Sequence, residues 1–152
     1  MNTIPETSET HYITGRAALN VPNPDGSFAG WHFDEVFLSG RGKLRIAGKD
    51  LPDTSHLLGG YGIRECSDVL RHYGVPLAEN QKVYSANHVR AILDLVITSL
   101  EQHRIPSHVS VYDMLDSPAS LDEFQNQLEK LKQKITDKTA LTLLQQWEQK
   151  QS

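Results

Sequence analysis

The sequence predicts an α+β fold: a small N-terminal antiparallel β-hairpin layer packed on a C-terminal helical half with one long central helix. Three observations carry that expectation. Residues 11–62 are rich in Gly, Pro and aromatics, the composition of strands and turns. Beyond Gly62 the apolar residues change to helical spacing. Within that half, residues 83–104 are apolar along most of their length, as expected of a buried helix.

Residues 1–10 are polar and read as a flexible arm. Residues 11–152 then form a single domain, β-rich over 11–62 and helical over 63–152. Residues 11–14 and 17–21 read as short extended segments separated by Gly15. The run Asn20-Val-Pro-Asn-Pro-Asp-Gly26 holds turn residues in series, since Pro fixes φ and Gly permits positive φ. Residues 31–38 alternate, with Trp31, Phe33, Glu35 and Phe37 on one side and His32, Asp34, Val36 and Leu38 on the other. Ser39-Gly-Arg-Gly42 fits a hairpin loop, and residues 43–47 are its return strand.

In the helical half, residues 64–73 read as a short helix stopped by Gly74 and Pro76. The long helix over 83–104 ends before Pro106, and residues 107–115 suit another short one. Ser120-Leu-Asp-Glu123 is a capping-box pattern opening a helix with Phe124, Leu128, Leu131 and Ile135 at helical spacing. A break near Thr136 and Asp137 precedes a last helix with Leu141, Leu144 and Trp147.

The formal charge is −4 and evenly spread: residues 1–100 carry 9 basic and 11 acidic side chains, residues 101–152 carry 6 and 8. No tail is strongly basic, which argues against general coating of nucleic acid but leaves a local patch open. Cys66 is the single cysteine, so no internal disulfide can form. The first ten residues carry Glu6 and Glu9 and do not resemble a signal peptide, and no apolar run approaches the length of a membrane span. These features lead to the expectation of a cytoplasmic protein, bacterial in style, that makes no use of a membrane.

Four groups of residues bear on function. Asn87, Arg90 and Asp94 share one face of the long helix, where Arg90 and Asp94 stand at i, i+4 and His88 lies beside them. The cluster can supply a base, an anion holder and a carboxylate; equally, it can be a structural bridge that fixes how the helix docks. His32 and Asp34 share a strand face, and a carboxylate orients an imidazole and raises its basicity, the minimum for acid–base chemistry. Arg41, Lys43 and Arg45 have period 2, so on a strand they form a positive ridge with Lys49 close behind. Such a ridge contacts phosphates or a carboxylate-rich partner, or simply discourages sheet pairing at an edge. Phe124, Leu128, Leu131, Leu144 and Trp147 line two amphipathic helices that either clasp a protein partner or second copy, or pack on the long helix. No recognised metal-ligand spacing occurs among the seven histidines and Cys66, and no cofactor or metal is expected.

Four motifs occur in order: Gly15-Arg-Ala-Ala-Leu-Asn-Val-Pro22, Gly30-Trp-His-Phe33, Tyr61-Gly62-Ile63 and Ala86-Asn-His-Val-Arg-Ala-Ile-Leu-Asp-Leu95. Together they resemble a family of small bacterial proteins from two-gene toxin–antitoxin or defence-type modules. The likeness spans about residues 12–97 and not the C-terminal helices. It implies a binding protein that neutralises a co-expressed toxin, and it carries no catalytic residue across. The expected function is therefore a non-enzymatic interaction protein, the antitoxin of such a pair, with Phe124, Leu144 and Trp147 among its anchors. The alternative is a small metal-independent nuclease or nucleic-acid-binding protein using His88, Arg90 and His32, with Asp34 as carboxylate and Arg41, Lys43 and Arg45 on phosphates. DNA binding for autoregulation is a third possibility, and would rest on the same basic ridge.

Overall fold

The computed structural model describes residues 4–27, 30, 32–39, 42–115 and 117–151. The fold is α+β, with its named strands in mid-chain. The order is α1 (Gly15–Leu19), a π-helical turn (Asp34–Leu38), α2 (Ser55–Leu58), β1 (Ile63–Glu65), α3 (Ser67–His72), β2 (Tyr84–Ala86), α4 (His88–Glu101), α5 (Val111–Met114), α6 (Pro118–Lys134) and α7 (Lys138–Gln149).

α4 is the axis of the molecule. Its composition is apolar nearly all round, and 12 of its residues are buried, including Val89, Ile92, Leu93, Val96, Ile97 and Leu100. A helix of that kind has to be enclosed. α1 packs on one side of it, and α6 and α7 pack on another. The Asn87 side chain accepts from the Arg90 amide at 2.8 Å, which caps the helix. The far end closes through paired bonds, His103 N to the Leu100 carbonyl and Arg104 N to the Ser99 carbonyl, with His103 at φ +54°. The helix is therefore shorter at both ends than the 83–104 periodicity suggests. Its expected first turn is β2, which pairs antiparallel with β1 in the register Ile63↔Ala86, Arg64↔Ser85, Glu65↔Tyr84.

No hairpin joins 31–38 to 43–47 among the described residues. Asp34–Leu38 instead winds as a π-helical turn, with Ser39 N donating to the Asp34 carbonyl at 2.7 Å. Phe33, Val36 and Phe37 stand at i, i+3, i+4, so winding brings them together, with Val36 and Phe37 buried. The β-character of the N-terminal third survives as a line of short bridged segments. Residues 12–14 lie between 45–47 and β2, through Thr14 N to Arg45 O, Ala47 N to Tyr12 O, Ile13 N to Tyr84 O and Ala86 N to Ile13 O. Residues 17–19, expected to be extended, are helical, because small Ala17 and Ala18 let α1 approach α4 closely.

The arm expected to be flexible is tied down over the residues described. Ile4 is buried, and Thr7 Oγ1 accepts from the Tyr84 amide at 2.9 Å. In the C-terminal half, Ser117 rather than Ser120 caps α6, with Pro118 at the first helical position. Asp137 caps α7 by accepting from the Thr139 and Ala140 amides. Among the described residues no helix is long and apolar enough to cross a membrane.

Candidate functional site

The polar face of α4 is sealed. Arg90 is 0 % exposed and Asp94 1 %, and their ion pair is 3.1 Å long. Asp94 Oδ1 accepts from Arg90 Nε and, at 2.6 Å, from Thr54 Oγ1. Oδ2 accepts from Tyr12 Oη at 2.9 Å and Thr14 Oγ1 at 2.6 Å. Arg90 Nη1 donates to the Gly59 and Tyr61 carbonyls at 2.9 and 2.6 Å, and Nη2 donates to Thr54 Oγ1 at 3.0 Å. The guanidinium also lies over the Tyr12 ring, 5.3 Å from its centre. The pair is thus surrounded by groups that complete it, the condition under which a buried ion pair offsets its own desolvation. The Tyr12 hydroxyl is pushed above its ordinary range by burial, then by the Asp94 charge, and stays protonated as a donor.

Gly62 lets the 59–62 loop sit against this network. It has φ +76°, and a Cβ there would meet Arg90 Cβ at 2.7 Å and Asn87 Oδ1 at 2.8 Å. Tyr61 carries the contact outward, donating its hydroxyl to Glu123 of α6.

His88 faces the other way and is also buried. Its Nε2 lies 2.7 Å from the Val21 carbonyl, which requires the proton on Nε2, and Asn23 Nδ2 stands 3.4 Å from Nδ1. Both ring nitrogens are occupied by the 21–23 turn. His88 and Arg90 therefore do not share an opening, and neither meets His32.

His32 stands on the surface just before the π-helical turn, with Nδ1 3.5 Å from Glu35 Oε2. Its carboxylate neighbour is Glu35 rather than Asp34, because the turn winds and carries Asp34 away. His32 and Glu35 line a cleft of about 520 Å³ with Arg16, Lys43, Arg45 and His108, over a floor that includes Ala17, Val36, Leu51 and Leu95. Lys49 lines a separate hollow with residues 5–8, His11 and Ile46. Trp31 and Arg41 lie outside the described residues.

Phe124, Leu128, Leu131, Leu144 and Trp147, read as partner anchors, are interior to the chain, each at most 1 % exposed. Their stripe faces α4, Phe124 meets Trp147 edge to face at 6.1 Å, and Trp147 Nε1 donates to the Val109 carbonyl at 3.0 Å. Phe124, Leu128 and Trp147 nevertheless form the floor of a shallow hollow of about 170 Å³, bounded by Val111, Tyr112, Gln125, Glu148 and Gln151. Tyr112, which the sequence reading passed over, is 59 % exposed at its edge.

Cys66 is buried, and burial pushes its thiol up to about 12, with Glu65 adding to the rise and Arg64 opposing it. Among the described residues no group of three or more His, Cys, Asp or Glu is placed to hold a metal ion. No family model, no curated protein and no solved structure matches the chain.

Proposed function

We propose that the chain is a non-enzymatic interaction protein, the antitoxin-type member of a bacterial two-gene module, and that it holds its co-expressed protein partner at the α5–α6–α7 face. The observation that carries this reading is the hollow floored by Phe124, Leu128 and Trp147, with Tyr112 standing exposed at its rim. One protruding Tyr beside a hollow offers an apolar anchor point at low entropic cost, the arrangement from which hot spots are built. The rim is polar, with Gln125, Glu148 and Gln151, as at interfaces that also exist unbound. His88 and Arg90 are engaged in separate internal contacts, so the nuclease reading would rest on His32 and the cleft alone.

The test is co-expression with the product of the adjacent gene, followed by affinity purification and sedimentation. A stable complex is expected, and Tyr112→Asp is expected to weaken it at least about 100-fold, as for removal of a hot-spot aromatic. Tyr73→Asp, at the other exposed large hydrophobic among the described residues, is the control and leaves it intact. No complex, or one indifferent to Tyr112→Asp, refutes the proposal. Self-association without the partner's product would turn the same face into a homodimer contact.

A further inference from the structure

We infer that the cleft beside α1 is a binding site for a small phosphorylated ligand that carries a ring, of nucleoside diphosphate size, gripped at its phosphates by Arg16, Lys43 and Arg45. The protein is acidic overall, yet three cationic side chains converge here against one lining carboxylate, Glu35. They come from separate places in the chain, Arg16 from α1 and Lys43 and Arg45 from the segment bridged to residues 12–14. Among the described residues no carboxylate lies within ion-pair distance of any of the three. Concave positive sites of this kind concentrate anions, and Arg adds directional donors suited to phosphate oxygens.

The guanidinium of Arg16 is oriented before any ligand arrives, since Nη2 donates to the His108 carbonyl at 2.9 Å. Burial, and after it the charge of Arg16, hold the His108 imidazole below its ordinary range. At neutral pH it is an uncharged group able to accept from a ligand hydroxyl as well as donate. The floor of the cleft includes Ala17, Val36, Leu51 and Leu95, an apolar surface on which a flat ring can rest. The volume of about 520 Å³ suits a compact ligand of that kind. The π-helical turn delivers Glu35 and Val36 to the lining, and such turns recur at functional sites.

An extended nucleic-acid strand fits less well. Such a strand needs a continuous positive track, and the next basic residue after Arg45, Lys49, opens into a different hollow that also holds Glu6. The site also differs from the face proposed for the protein partner, so either can fail without the other.

The experiment is isothermal titration of the purified chain with the common nucleoside diphosphates, the parent nucleosides, inorganic phosphate and a short single-stranded RNA. One nucleoside diphosphate is expected to bind with one-to-one stoichiometry, weakening as salt rises, with its nucleoside and inorganic phosphate each at least about tenfold weaker. Arg16→Ala and the Lys43→Ala/Arg45→Ala double variant are expected to lose at least about tenfold in affinity at unchanged thermal midpoint, whereas Lys49→Ala binds as the parent does. In the unmodified protein, methyl resonances of Val36, Leu51 and Leu95 should shift on titration, a readout that needs no variant. Absence of binding at millimolar nucleotide overturns the inference. So does binding that ignores the Arg16 and Lys43/Arg45 changes, shifts that miss the cleft methyls, or RNA that binds more tightly than any nucleoside diphosphate.

Discussion

Replacing Asp94 by Asn tests the reading of the α4 polar face as a structural lock. The substitution preserves shape and removes a charge that accepts from Tyr12, Thr14, Thr54 and Arg90 at 2.6 to 3.1 Å. The Asn amide offers one carbonyl oxygen, and its NH₂ faces donors where an acceptor stood. Arg90 keeps its bonds to the Gly59 and Tyr61 carbonyls but loses its counter-charge at zero exposure. Breaking a buried ion pair by removing one partner costs about 3–5 kcal/mol. That is a large fraction of the roughly 5–15 kcal/mol holding a domain of this class together, and corresponds to a fall in thermal midpoint of roughly 6–20 °C. Urea unfolding followed by far-ultraviolet circular dichroism and Trp fluorescence measures it directly. A cycle with Arg90→Met is informative, because the double variant should lose less than the sum of the two single losses. A loss below about 1 kcal/mol for Asp94→Asn, within the range of an ordinary neutral hydrogen bond, would show that the network is not the lock it is taken to be.

Other expectations follow from the same contacts. The Cys66 thiol, protonated and buried, should resist iodoacetamide in the folded protein at pH 8 and react on unfolding, so labelling kinetics track opening of the 63–70 region; rapid labelling of folded protein would contradict this. The Asp137 carboxyl is held below its ordinary range first by His103 and then by the Ala140 amide, so its help to α7 is complete above the unfolded value of about 4 and disappears as pH falls through the lower folded one. The thermal midpoints of the parent and Asp137→Ala should therefore differ at neutral pH and approach each other as the solution is acidified. Gly62→Ala should destabilise by more than about 1 kcal/mol in urea, since it strains a positive φ and pushes against Arg90 and Asn87. Asn87→Ala, which removes the α4 cap, should cost about 1 kcal/mol in the same assay.

What was legible in the sequence was periodic. The apolar stripe of α4, the pair α6 and α7, and the break before Asp137 follow from helical spacing, and the structure has them there. The start of α4 was misplaced because Val83, Tyr84 and Ala86 continue its apolar character, although Asn87 is itself a cap residue. Residues 31–38 misled for a related reason: eight residues can alternate and still place Phe33, Val36 and Phe37 at helical spacing, and burial of that trio decides the outcome. The Arg90–Asp94 pair was visible at i, i+4, but its other partners were not. Tyr12, Thr14 and Thr54 are neutral hydroxyl residues 40 or more positions away, with nothing local to mark them. Arg16 and His108 were missed likewise, because the cleft they share is made by tertiary packing.

The lock and the cleft are neighbours in the chain, and this gives the buried charges a purpose that stability alone does not. An apolar pair of similar volume at positions 90 and 94 would fill the same space without specifying a direction. The charged pair specifies several at once. Arg90 fixes the loop of Gly59 and Tyr61, and Asp94 fixes Thr54 on one side and residues 12 and 14 on the other. Thr14 is followed by Gly15, whose φ of +64° turns the chain into α1, and then by Arg16 on the cleft wall. Asp94 is followed by Leu95 on the cleft floor. The oxygen atoms of one carboxylate therefore set the register between the cationic wall and the apolar floor within the tolerance of a hydrogen bond. A binding site assembled from short, irregular segments needs such a reference, because the paired strands that would otherwise hold it are only three residues long.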